Sequence, residues 1–226
     1  MPESSESWFR VLIPFSSGRL EMVRIAVLVS GGGTNLQALL DSEKRGENPY
    51  GKIVLVISGN KKAYALQRAK NAGVETMVIR RKDYQDTEGY DKAMLKALKE
   101  HGIEEIILAG FLNILSSEII NAYPQRIINV HPSLIPSFCG KGYYGLKVHE
   151  AALRYGVKVT GATVHYVNEI PDGGQIIFQK AVEVKDGDTP EILQRRVMEQ
   201  AEWILLPEAA AMVAEKIEKE KNNADR

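Results

Sequence analysis

The chain predicts an α/β fold with a parallel, doubly wound sheet, and three observations carry that expectation. Buried apolar runs of strand length alternate with stretches of helical period. Glycine-rich turns hand strands over to helices, and 226 residues are enough to bury a sizeable core.

Each element has its own signal. Residues 23–29 read as a buried strand, and residues 34–44 as a helix with Leu36, Leu39 and Leu40 on one face. A second strand covers 52–57, followed by a helix over 63–72 that stops at Gly73. Residues 76–79 form a short strand, and 90–99 an amphipathic helix closed by His101-Gly102, a C-cap signal. Strands over 105–109 and 127–130 enclose a short helix over 117–122. Beyond Pro132 a loop rich in proline, glycine and tyrosine runs to about residue 146, then a helix over 147–155. Two β-rich runs, 158–167 and 175–184, are joined by Asn168-Glu-Ile-Pro-Asp-Gly-Gly174. The last helix opens after Asp188-Thr-Pro190, with Thr189 or Asp188 as N-cap and Pro190 at the first helical position.

These elements read as one domain over residues 22–212, followed by a charged tail, 213–226, expected to fray from Glu215 on. Two readings stand for residues 1–21. Met22 is a functional start preceded by a poorly ordered extension, or Trp8, Phe9, Leu12 and Phe15 form a packed amphipathic segment.

Composition excludes several classes. Lys plus Arg and Asp plus Glu both number 29, so bulk attraction to nucleic acid or a membrane surface is not indicated. Glu3 and Glu6 stand where a secretory signal would be basic, and the longest apolar run, 106–112, is too short for a bilayer. Cys139 is the only cysteine, which removes an intramolecular disulfide and a cysteine zinc cluster and points to the cytoplasm. Four scattered histidines have no metal-site spacing, so no metal is expected. Monomer and homodimer both remain open.

The chemistry concentrates in Arg126-Ile-Ile-Asn-Val-His-Pro-Ser-Leu-Ile-Pro136. Period-2 alternation puts Asn129 and His131 on one face of a strand that Pro132 terminates. An amide beside an imidazole suits a reaction that develops an oxyanion and moves a proton. Asp172, in a glycine-rich connection, is the best candidate acid partner, and a carboxylate there would raise the pKa of His131. As a bland alternative, Asp172 is a hairpin residue before glycine. His165 reads as structural, His149 as either a ligand contact or a surface residue, and His101 as a helix-end residue.

Ser30-Gly-Gly-Gly-Thr-Asn35 closes the first strand and opens a helix, an arrangement whose free N–H groups make an anion site. Leu36 breaks the dinucleotide fingerprint, and Ser58-Gly59-Asn60 lacks the ribose-gripping acid. The loop therefore reads as a monophosphate cradle, with a ligand-free tight turn as the alternative.

Together with Leu108-Ala-Gly-Phe-Leu-Asn-Ile-Leu115, Gly161-Ala-Thr-Val-His165 and Asp172-Gly-Gly174, these segments resemble the phosphoribosylglycinamide formyltransferases of purine synthesis, within the formyltransferase superfamily. The resemblance covers about residues 23–210. It implies a Rossmann-like, mostly parallel sheet with helices on both faces and an antiparallel strand near the C-terminal end. It further implies formyl transfer from 10-formyltetrahydrofolate to glycinamide ribonucleotide (GAR). His131, Asn129 and Asp172 match the catalytic residues. Gly33, Thr34 and Asn35 match the phosphate loop, and Gly110 and Glu202 positions near GAR. Leu112, Asn113, Ile114 and Leu115, with Asn129, match the folate side. Asn113 stands where relatives often carry a basic residue, and Thr87 where an arginine can help hold folate. The loop Cys139-Gly-Lys-Gly-Tyr-Tyr-Gly145 is longer than in the best-known members, so Lys141, Tyr143 or Tyr144 is expected to replace part of that contact. A cis peptide between Ile135 and Pro136 is also implied as a possibility.

A formyltetrahydrofolate hydrolase or another 10-formyltetrahydrofolate-dependent formyltransferase, such as that acting on methionyl-tRNA, would share the catalytic trio. From other classes, a dinucleotide oxidoreductase is opposed by Leu36. A non-catalytic nucleotide-binding module has no need of the trio.

Overall fold

The computed structural model describes residues 22–224, so the readings for residues 1–21 lie outside the described residues. Strand β1 (Val23–Val29) leads through the glycine loop into α1 (Thr34–Arg45), β2 (Gly51–Ser58), α2 (Tyr64–Asn71) and β3 (Glu75–Val78). Helix α3 (Thr87–Glu100), β4 (Glu105–Leu108), α4 (Ser117–Ala122) and β5 (Ile127–His131) follow. The chain continues through α5 (Leu146–Tyr155), β6 (Val159–Tyr166), β7 (Ile176–Glu183), α6 (Pro190–Val197) and α7 (Trp203–Ala224). A π-helical turn, Met198–Glu202, joins the last two helices.

The strands form one sheet in the order β3-β2-β1-β4-β5-β6-β7. Pairings from β3 through β5 are parallel, and β6 is antiparallel to both β5 and β7. The order reverses between β1 and β4, and a ligand crevice is expected beyond the carboxyl ends of strands at such a point. Both faces are covered, as the sequence predicts. Val23, Ile25, Val27 and Val29 pack toward the layer holding α1, α2, α6 and α7, while Ala26 and Leu28 face the layer of α3 and α4. This two-sided burial is why β1 is apolar at successive positions.

At the chain's end the structure decides one open reading and departs from another. Thr189, not Asp188, caps α6, accepting from the Ile192 amide at 3.3 Å. Asp188 instead takes both Nη atoms of Arg196, at 2.6 and 2.7 Å. The tail expected to fray from Glu215 continues α7 as far as Ala224. Val213, Ala214 and Ile217 are buried against the sheet, and Lys221 pairs with Glu104 at 2.8 Å. The charged residues share this helix with an apolar stripe at helical spacing, which outweighs the composition.

Glu105 is fully buried at the start of β4, and neither carboxylate oxygen has a partner among the described residues. Burial raises its pKa well above the ordinary carboxylate value. In the folded state it therefore holds a proton that the unfolded chain releases near pH 4.5, so its contribution falls as pH rises above that value. While the folded chain keeps this proton, the loss is about 1.4 kcal/mol per pH unit. Glu105→Gln is expected to be more stable than wild type at pH 8, the difference vanishing below pH 5, as read by thermal denaturation. A difference independent of pH would contradict this assignment.

Candidate active site

Strand β5 places Ile128 and Val130 in one core layer, leaving Asn129 and His131 to emerge together on the opposite face. Both meet Asp172. The Asn129 amide donates to one carboxylate oxygen at 3.4 Å, and His131 Nδ1 lies 3.4 Å from the other. The Gly140 N–H also donates to that second oxygen, at 2.8 Å. Asp172 adopts φ 56°, and the turn that presents it is held close to β6. At Gly174 an added Cβ would fall 1.7 Å from the Tyr166 carbonyl oxygen, so only glycine permits that approach.

Sequence reasoning missed a fourth member. His165 pairs across the sheet with Asn129, and its Nε2 lies 3.2 Å from the Asn129 amide and 3.6 Å from Asp172. The expectation of a structural histidine came from its apolar neighbours; the signal lay in the antiparallel register of β6. His149, left open between ligand contact and surface, is neither. It is fully buried in α5, both ring nitrogens unpartnered among the described residues, and burial brings its pKa to about 4.

The protonation balance at His131 also differs from expectation. Burial pushes the imidazolium pKa below its ordinary value, although Asp172 and the Phe138 carbonyl pull it upward. The carboxylate opposes the shift without reversing it. Nε2 lies 2.9 Å from the Phe138 carbonyl, so both ring nitrogens face acceptors. Burial works to raise the Asp172 pKa, but His165, His131 and the Gly140 amide hold it below the usual carboxylate value.

On the other side of β1, the glycine loop turns into α1 at Gly33, with φ 74°. A Cβ there would lie 2.5 Å from that of Ala65, so glycine allows α2 to close on the loop. Asn35 is buried and donates to Glu202 at 2.7 Å, while Thr34 donates to Met198 at 3.7 Å. Burial raises the Glu202 pKa to about 7, with Asn35 opposing. The π turn supplies both Met198 and Glu202. Ser30 ties this loop to the segment after β4, its hydroxyl accepting from the Leu112 amide at 3.0 Å.

A cavity of about 500 Å³ opens beside the β5 pair. Its lining brings together Gly110, Leu112, Asn113, Ile114, Leu115, Asn129, His131 and Asp172. Lys141, Tyr143 and Tyr144 of the long loop also line it, and Ile135-Pro136 is cis. Gly33, Thr34, Asn35 and Glu202 lie outside that lining, as a separate group. Thr87, expected on the folate side, is not brought to the cavity. It starts α3, where its hydroxyl accepts from Arg81 at 2.9 Å.

A sheet of this order, with an amide and an imidazole at the end of β5 and a carboxylate brought to them from the connection between β6 and β7, defines an acyl-transfer enzyme of the formyl transferase class. Residues 23–209 match the formyl transferase family model, and the chain belongs to that family. The glycinamide ribonucleotide transformylase 1 structure from Symbiobacterium toebii is 42% identical with a TM-score of 0.81, covering 86% of this chain and 89% of that one. The chloroplastic phosphoribosylglycinamide formyltransferase of Arabidopsis thaliana is 35% identical over 86% of this chain and 66% of its own length. The trifunctional purine biosynthetic protein adenosine-3 of Gallus gallus is 45% identical over 85% of this chain. The matched region spans only 18% of that longer protein.

With Asp172 as the influence that offsets burial at His131, Asp172→Asn is expected to shift the His131 titration to lower pH. The same change is expected to lower kcat by about 100-fold or more. NMR titration of the ring and a pH–rate profile measure the two effects, and an unmoved titration would remove Asp172 from this role.

Proposed function

We propose that the chain transfers the formyl group of 10-formyltetrahydrofolate to the amine of GAR, giving formyl-GAR and tetrahydrofolate in purine biosynthesis. The observation that carries this reading is the meeting of Asn129, His131 and Asp172 beside the cavity, with a free glycine loop across the strand reversal. In this reading the loop residues Gly33, Thr34 and Asn35 hold the phosphate, and Gly110 and Glu202 border the rest of GAR. The cavity takes the folate, against Leu112, Asn113, Ile114 and Leu115.

The amine attacks the formyl carbon, forming a C–N bond and turning the carbonyl oxygen into an oxyanion. The Asn129 amide and protonated His131 donate to that oxygen, His131 exchanging the Phe138 carbonyl for it, an effect of about 3–4 kcal/mol for a well-placed donor. Collapse of the intermediate breaks the bond to the folate nitrogen, and a proton relayed from the amine completes the leaving group. Burial makes the imidazolium a readier acid than free histidine, and Asp172 keeps the charged form within reach. Phosphate binding far from the reacting carbon contributes orientation.

Lys141, Tyr143 and Tyr144 supply a folate wall in the long loop. Tyr143 and Tyr144 are partly exposed, as are Leu112 and Ile114 on the same lining, so a flat ring system would cover apolar surface here. We place the enzyme in the cytoplasm, in keeping with its single cysteine; the Arabidopsis relative is named chloroplastic.

Loss of 10-formyltetrahydrofolate is expected to require GAR and to collapse in His131→Ala; consumption without GAR would mean a hydrolase instead. Replacing Lys141, Tyr143 and Tyr144 together is expected to raise the folate KM, and an unchanged KM would remove them from the folate wall.

A further inference from the structure

Three consecutive carbonyls of the glycine loop are held by one neighbouring segment. Asn60 Nδ2 reaches the Ser30 carbonyl at 3.4 Å, the Ala65 amide donates to the Gly31 carbonyl at 3.1 Å, and Arg68 Nε donates to the Gly32 carbonyl at 2.9 Å. In a trans peptide the C=O and the following N–H point in opposite directions. Fixing the carbonyls of Gly31 and Gly32 toward α2 therefore turns the N–H groups of Gly32 and Gly33 away from it. Among the described residues no acceptor takes either N–H. Successive N–H groups left free at the entrance to a helix form an anion-binding concavity.

Arg68 is held firmly in this arrangement. Its Nη1 donates to the Gln37 side chain at 3.0 Å, and the guanidinium lies 5.1 Å from the centre of the Tyr64 ring. A fixed cation beside the loop adds to the attraction for a phosphate, while its Nε–H holds a carbonyl that would otherwise be free to turn inward and repel one.

We infer that Arg68 is a positioning residue for the substrate phosphate, acting by fixing the Gly32 carbonyl so that the loop amides face the ligand. The inference rests on the reading of the loop as the GAR phosphate cradle. Arg68 does not touch the reacting atoms in this scheme, so its removal weakens phosphate binding rather than the chemical step.

The test compares wild type with Arg68→Met on two amine substrates, GAR and its dephosphorylated riboside. Arg68→Met is expected to raise the KM for GAR about tenfold, the cost of one charge-assisted hydrogen bond. The kcat and the folate KM are expected to change by no more than about twofold. The loss of kcat/KM with the riboside is expected to be much smaller than with GAR, because no phosphate is there to feel the loop. Equal losses with both substrates, a change confined to kcat, or an unaltered KM for GAR would each overturn the inference. Should Arg68→Met fail to fold, Arg68→Lys carries the same test, with a smaller KM effect because it retains one donor and the charge. Absence of GAR turnover by wild type would instead overturn the underlying reading, and the inference with it.

Discussion

The Asp172 carboxylate is the interaction on which the site's geometry depends. It lies within reach of Asn129 and His131 on β5, His165 on β6 and the Gly140 amide of the long loop. A largely buried anion keeps its charge only when such partners replace the water it loses. Four groups from three parts of the chain are thereby brought around one ion, and the amide and imidazole acquire fixed orientations. The left-handed backbone at Asp172 and the close approach at Gly174 are the local conditions for delivering it.

Around that ion the sheet organises two sites of opposite character. On the β1 side lie free amides and a tethered arginine; on the β5 side, an imidazole, an amide and a mainly apolar cavity. Their separation is set by the packed strands β1, β4 and β5. The Ser30–Leu112 hydrogen bond ties the loop after β1 directly to the segment after β4. In the proposed reaction this rigidity is what lets a phosphate bound at one site orient an amine at the other. A movable connection would lose that orientation to conformational entropy.

How much of this was legible in the sequence follows from how local each feature is. Period-2 alternation sufficed for Asn129 and His131, since both sit on one strand ended by proline. The glycine loop was equally readable, being a single strand-to-helix turn. His165 was not: its place depends on the register of β6 against β5, set between residues 36 positions apart in the chain. The place of Thr87 was implied by resemblance alone; here it begins α3, its hydroxyl accepting from Arg81, away from the cavity lining. The tail failed because charge composition was weighed above the spacing of Val213 and Ile217. The direction of the His131 shift required burial, which no local pattern reports.

Glu202 shows why that last quantity matters most. It lies in a π turn, where the extra residue changes which side chain points inward relative to a continuous α-helix. The result is a carboxyl group held in the interior by Asn35, its pKa raised to about 7, while the Asn35 Oδ1 atom has no donor among the described residues. A buried acceptor left without a partner costs about 1–3 kcal/mol. The fold therefore carries an incomplete hydrogen-bond set beside the glycine loop. His131 presents the converse case, a ring whose two nitrogens both face acceptors but whose burial resists the second proton. Burial thus works against charge at both places, against the carboxylate of Glu202 beside the glycine loop and against the imidazolium of His131 beside the cavity.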